Sequence, residues 1–279
     1  MEIFANHAHV FPADVRAEAS VDSLLRLMDE VGIARCVCFA PHRRQVRDEG
    51  YPEPNEWLVE ALADRPRLLG FACINPVEAD AVTRLERAVD MGLPGCKLHP
   101  AVDRFDITDE RAMDFYAVAQ ELGVLLDFHT GPHWYRISHY HPLKFDEIAW
   151  AYPRLKMVFE HLGGLPFYLD ILAVMGNNLP LGQQGHLFGG ISSILNRDLQ
   201  KLWYLGIERV AEAIRILGED MPIWGLDFPY NPVELIIDDI EQLNTLELSE
   251  EGMSKLFGGN LQRAIDDGPA GKDFTPPGD

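Results

Sequence analysis

Apolar residues recur along this chain in two alternating rhythms. Short, nearly continuous apolar runs cover Ile3 to Val10, Arg35 to Ala40, Leu68 to Ile74, Gly95 to His99, Val124 to His129, Leu155 to Glu160, Leu187 to Ile194 and Pro222 to Leu226. Runs of this length without alternation read as strands buried on both faces, as parallel strands are. Between them the spacing changes. Leu24, Leu25, Leu27, Met28 and Val31 fall on one face of a helix over 21–31. The same spacing predicts helices over 55–63, 79–91, 108–122, 143–151, 165–175, 205–217, 233–243 and 249–265. Gly32 and Gly218 stand where helix ends need glycine, and Thr108 and Ser249 stand where helix starts need a short polar cap. Gly189 and Gly190 break the seventh strand, and residues 42–53 form a charged loop.

Eight strands alternating with helices at a period of about 30 residues predict an α/β fold, a (β/α)8 TIM barrel in a single domain over 1–265. The rival is a doubly wound open sheet, which usually carries a Gly-rich loop after its first strand. Val10-Phe11-Pro12-Ala13 has no such cluster. From Asp266 to Asp279 the composition turns to Gly, Pro, Asp and Lys, and this tail is expected to be disordered.

A formal net charge of −20 argues against nucleic acid and anionic membrane as partners. No apolar run reaches the roughly 18 residues of a membrane span, and Met1-Glu2-Ile3-Phe4 lacks the basic start of a signal peptide. Cys36, Cys38, Cys73 and Cys96 all lie in apolar runs and read as reduced core thiols. A cytoplasmic protein is expected. An acidic barrel with aromatic residues around its rim leaves a homodimer open.

The chemistry gathers at strand ends. Asn6-His7-Ala8-His9 closes the first run, and period-two alternation points both imidazoles the same way. Later runs end in Lys97-Leu98-His99, His129-Thr130-Gly131, His161-Leu162-Gly163-Gly164 and Asp227-Phe228-Pro229. In a barrel these positions share one rim, where catalytic groups from separate strands meet. His7, His9, His129 and Asp227 make a ligand set suited to a divalent metal, Zn²⁺ first and Mn²⁺ or Fe²⁺ as alternatives. The metal would lower the pKa of water towards ~7. Asp227 could take the water proton, and His161 could act as general acid or base.

These motifs resemble the amidohydrolase superfamily, and within it the amidohydrolase 2 group, the relatives of aminocarboxymuconate-semialdehyde decarboxylase. The likeness rests on the His-x-His, on Gly95 to Pro100, on Phe128-His129-Thr130-Gly131, on His161-x-Gly163-Gly164 and on Asp227-x-Pro229. It extends to Pro142–Ala149, Tyr152–Lys156 and Gly259–Arg263, and so spans roughly residues 3–265. The resemblance implies a distorted barrel with one or two metals, His7, His9, His129 and Asp227 as ligands, and His161 as a catalytic histidine or a ligand of a second metal. It leaves Lys97 two roles: a carbamylated bridge between metals, or a donor to a substrate carboxylate. Asn6 departs from the pattern, standing where an acid often precedes the His-x-His, and Leu226 stands where serine is usual.

Three residues are candidates for holding a small-molecule substrate, such as a carboxylate: His99, Trp134 and Arg136. Each has a plain structural reading as well, His99 as a strand-end cap and the other two as parts of a surface loop. His42, Arg43 and Arg44 after the second strand carry the same ambiguity. The leading expectation is a metal-dependent hydrolase acting on a lactone, amide or related carbonyl. The alternative is a non-oxidative decarboxylase of an aromatic or unsaturated acid, which a buried arginine near the metal, Arg136 or Arg104, would favour. A metal-free binding or structural barrel is a third possibility.

Overall fold

The computed structural model describes residues 2–179 and 186–266. All but the first residue of the expected tail over 266–279 therefore lies outside the described residues. Eight strands form one closed parallel barrel in sequence order: β1 (Phe4–His9), β2 (Arg35–Phe39), β3 (Leu68–Cys73), β4 (Gly95–Leu98), β5 (Leu125–His129), β6 (Met157–Glu160), β7 (Leu187–Ile191) and β8 (Pro222–Phe228). The TIM-barrel expectation holds, and the helices lie between the strands.

Alternation along each strand sorts the residues into two environments. One set, with Ala8, Cys38, Ala72, Leu98, Phe128, Phe159, Ile191 and Leu226, packs against the helices. The other set fills the barrel in layers. Phe4, Val37, Phe71, Leu125, Val158, Phe188 and Ile223 form an apolar floor with Leu261 and Ala264 of the last helix. Only β4 sends no side chain to that floor. A Cβ built on Gly95 would stand 2.4 Å from the Phe71 ring, which occupies its place. Below, Lys156 Nζ donates to Ala264 O at 2.7 Å and ties the closing helix to the barrel.

Two residues further along the strands the interior becomes polar: Asn6, Lys97, Asp127 and Glu160 are all essentially without exposure. Burying ionisable groups is costly unless they are paired, so this layer is the part of the barrel that packing alone does not explain.

Several elements differ from expectation. The strand over Leu187–Ile191 is not broken by its glycines. A Cβ on Gly189 would meet Leu162 at 2.4 Å, and one on Gly190 would meet Glu160 Oε2 at 2.3 Å. The glycines are there to make room. The helix expected from Thr108 starts at Glu110, because Asp106 takes the Thr108 N–H and Asp109 caps the helix. The helix expected over 249–265 is interrupted by a π-helical segment at Lys255–Gly259. The polar loop over 42–53 contains a short helical turn, Arg43–Val46.

Candidate metal centre

The first strand does not reach the rim by simple alternation. Its register against β2 slips between Ala5 and Ala8, and against β8 between Asn6 and Ala8. His7 sits at the slip with φ of 65°. This bulge turns two consecutive residues inward, as bulges at barrel rims do. Asn6 reaches into the polar layer, and His7 reaches the mouth.

There His7 Nε2 and His9 Nε2 approach to 3.2 Å. Asp227 Oδ1, at the end of β8, stands 3.4 Å from the first and 3.9 Å from the second. The far side of His7 faces an acid: its Nδ1 is 2.9 Å from Glu160 Oε2, though too oblique for an aligned hydrogen bond. A carboxylate there favours the tautomer with its proton on Nδ1, which leaves a lone pair on Nε2. Burial above all, with Lys97 adding, lowers the His7 pKa to about 4. Burial and the neighbouring His7 hold His9 well below its usual value. Two neutral imidazoles and a carboxylate thus aim at one point, a donor set suited to a divalent cation.

Behind the mouth runs a continuous polar chain. Lys97 Nζ donates to Asp127 Oδ1 at 2.6 Å. Asn6 Nδ2 donates to Asp127 Oδ2 at 2.8 Å and to Glu160 Oε1 at 2.7 Å. Ser192 Oγ donates to Glu160 Oε2 at 2.9 Å. Burial raises Asp127 to about 6, with Lys97 pulling the other way and Glu160 adding to the rise. The departure at Asn6 now has a reason. An acid at that position would add a third carboxylate to two buried ones, whereas the amide nitrogen bridges them. Lys97 is fully buried in the ion pair with Asp127, below the rim rather than at it.

His161 has φ of 64° and lies 5.2 Å from His7, ring to ring. Its Nδ1 donates to Ser192 O at 2.8 Å. A carbonyl can only accept, so the proton is on Nδ1 and Nε2 keeps its lone pair. Burial lowers its pKa to about 4 against the opposing pull of Asp227. Trp203 stacks on this ring at 4.5 Å. Asp227 is in turn held by Ser193 Oγ, which donates to Oδ2 at 2.5 Å.

The structure does not bring every expected residue to this point. His129 stands next to it, 4.9 Å from His161 ring to ring, but its Nε2 donates to Gly131 O at 3.0 Å. It lies outside the three-residue donor group. His99 stacks on His129 at 3.9 Å and caps the turn Pro100–Asp103 by accepting from Val102 N–H. Trp134 is 96% exposed. Arg136 and Arg104 are exposed too, so neither is the buried arginine that a decarboxylase would favour. Asp127, Glu160, Ser193 and Trp203 were missed by sequence reasoning. For the first two a signal existed: an acid inside an apolar strand, with Asp127 two residues before His129 on the same face. For Trp203 there was none.

The amidohydrolase family model matches residues 7–264. The chain belongs to the amidohydrolase family. That membership places it among enzymes of hydrolase or lyase type. No curated protein matches the sequence. Solved structures share the fold at low identity. An uncharacterized TIM-barrel protein from Bordetella bronchiseptica superposes with a TM-score of 0.74 at 17% identity, over 95% of this chain and 98% of its own. A dihydroxybenzoic acid decarboxylase from Polaromonas sp. JS666, with bound manganese and 2-nitroresorcinol, gives 0.70 at 19% identity, over 95% and 96%. A protein assigned as a 2-pyrone-4,6-dicarboxylic acid hydrolase from Pseudomonas putida gives 0.65 at 18% identity, over 95% and 97%. Among the described residues no helix is long and apolar enough to cross a membrane.

Proposed function

We propose that this chain is a metal-dependent hydrolase that opens a lactone, amide or related carbonyl of a small molecule. His7, His9 and Asp227 would hold the cation, with Zn²⁺ the best match to two imidazoles and a carboxylate, and Mn²⁺ or Fe²⁺ the alternatives. His129 is kept as a fourth ligand that would give up its hydrogen bond to Gly131 O. When bound, the cation polarises the carbonyl and lowers the pKa of water towards ~7. Glu160 orients His7 from behind, and Ser193 fixes the carboxylate of Asp227.

The observation that carries this reading is His161. It is neutral at pH 7, its proton is fixed on Nδ1 by a carbonyl, and its Nε2 is an open acceptor beside the donor group. Such a nitrogen takes a proton from water; it has none to deliver to carbon. Trp203 covers the ring and limits where it can swing. Lys97 acts at a distance, by keeping Asp127 ionised and the Asn6 bridge in place.

The alternative is non-oxidative decarboxylation, and the likeness to a decarboxylase with bound manganese supports it. The two reactions differ in what enters and leaves. Small lactones and aromatic carboxylic acids should be offered to the metal-loaded enzyme in water enriched in heavy oxygen. Label in a new carboxylate supports hydrolysis. Release of CO2 with no labelled carboxylate in the product would replace that reading with the second.

A further inference from the structure

The donor group at the mouth draws on β1 and β8. At the ends of β2 and β3 a second group meets. His42 follows β2, Cys73 ends β3, and Asp103 closes the turn after β4. His42 Nδ1 stands 2.9 Å from Asp103 Oδ2 and 3.3 Å from Cys73 Sγ. All three side chains are buried, at 6% exposure or less. They border a cavity of about 280 Å³ that Arg43, Arg44, Asn75 and Glu78 also line.

The arrangement is not that of an activated thiol. A thiol–imidazole–carboxylate relay uses both ring nitrogens, with the acid on one and the nucleophile on the other. Here the carboxylate and the sulfur converge on the same Nδ1. A single N–H can point at only one of them. One cation at the meeting point would satisfy all three. Sulfur, imidazole and carboxylate with an adjoining cavity for water match an open tetrahedral Zn²⁺ site.

The surroundings hold this geometry in place. Asn55 Oδ1 accepts from the Cys73 N–H at 2.9 Å, and Asn75 Nδ2 donates to Asp103 O at 3.3 Å. The nearby positive charge of Arg43 is taken up by Glu53, Glu78 and Asp80. The other three cysteines have no such partners. Cys36, Cys38 and Cys96 direct their sulfurs at backbone carbonyls.

We propose that His42, Cys73 and Asp103 form a second divalent-cation site, distinct from the mouth and suited to Zn²⁺, that clamps together the segments following β2, β3 and β4. On binding, Cys73 releases its thiol proton and His42 the proton on its Nδ1 to solvent, so that the sulfur ligates as thiolate and the imidazole through the freed lone pair.

Cobalt tests this with a signature the mouth cannot give, because only a thiolate produces a sulfur-to-cobalt charge-transfer band in the near ultraviolet. The full chain, freed of metal by chelation, is titrated with Co²⁺. The band should appear in the wild-type protein and persist in a His7→Ala, His9→Ala double variant. It should be absent from Cys73→Ser and present in Cys96→Ser. His42→Gln and Asp103→Asn should each need at least about tenfold more Co²⁺ to reach half of the band, the scale of losing one ligand's support. The proposal is overturned if the wild-type protein shows no band at saturating Co²⁺, or if the band survives Cys73→Ser. It is equally overturned if the band vanishes with His7 and His9, or if both His42→Gln and Asp103→Asn titrate like the wild type. Where Cys73→Ser does not fold, the wild-type and double-variant spectra together with the His42→Gln and Asp103→Asn titrations carry the test. The activity of the mouth plays no part in the readout.

Discussion

Replacing Glu160 with glutamine removes one charge and almost no volume, so it isolates what the carboxylate does for the mouth. Three groups bring hydrogens to it. Asn6 Nδ2 and Ser192 Oγ donate at 2.7 and 2.9 Å, and His7 Nδ1 lies 2.9 Å away. Glutamine offers one oxygen and one NH2, so at least one of the three would face a donor. The side chain cannot move aside, because Gly190 leaves just the room that Glu160 fills. His7 would then lose the negative charge that favours its Nδ1–H tautomer and raises the basicity of Nε2. Loss of such a partner costs 10- to 100-fold in metal affinity, or about 1.4–2.8 kcal/mol. The assay is competition for Zn²⁺ against a chromogenic chelator at pH 7.5, with circular dichroism as the control for folding. A folded Glu160→Gln protein that binds Zn²⁺ as tightly as the wild type would refute the claim that Glu160 orients the ligand.

Lys97→Met should destabilise the chain by about 3–5 kcal/mol in urea unfolding, since it leaves the fully buried Asp127 carboxylate without its cation. Adding Asp127→Leu should recover part of that loss, and a single-variant loss below about 1 kcal/mol would contradict the pairing. Trp203→Ala should keep the metal content and lower turnover by roughly ten- to a hundredfold, because His161 loses the ring stacked on it at 4.5 Å; unchanged turnover would show that the stack positions nothing. Asp239, 2% exposed on the helix Val233–Leu243, has its pKa raised by burial, and further by Asp238, from 3.8 to about 7. Its folded state therefore holds a proton that the unfolded chain has released, and stability falls as pH rises from 3.8 to about 7. About three pH units at about 1.4 kcal/mol each give roughly 4 kcal/mol. Asp239→Asn should raise the urea midpoint at pH 8 and lose that advantage towards pH 4; an equal gain at both would reject the assignment.

The barrel was legible because its signal is periodic. Every strand carries a continuous apolar run, and each run was placed to within a few residues. The rim was legible for a related reason: polar residues at the ends of such runs have few structural explanations. What sequence did not reveal depends on two things that periodicity cannot carry. One is the bulge at His7, where strict alternation would have turned Asn6 and His7 to opposite faces. The other is pairing across distant strands. Lys97, Asp127, Asn6 and Glu160 lie on four strands, and their chain of hydrogen bonds exists only once the barrel closes. Gly189 and Gly190 looked like a break in a strand because glycine weakens strands in general. Their cause lies in Leu162 and Glu160, which need the space.

The proposed metal centre stands or falls on whether His7, His9 and Asp227 together hold the cation. Anomalous diffraction at the zinc edge, from crystals grown with Zn²⁺, tests it without reference to substrate or turnover. A peak is expected within about 2.0–2.2 Å of His7 Nε2, His9 Nε2 and an Asp227 carboxylate oxygen. A well-ordered mouth without that peak, in crystals that carry zinc elsewhere in the chain, would contradict it.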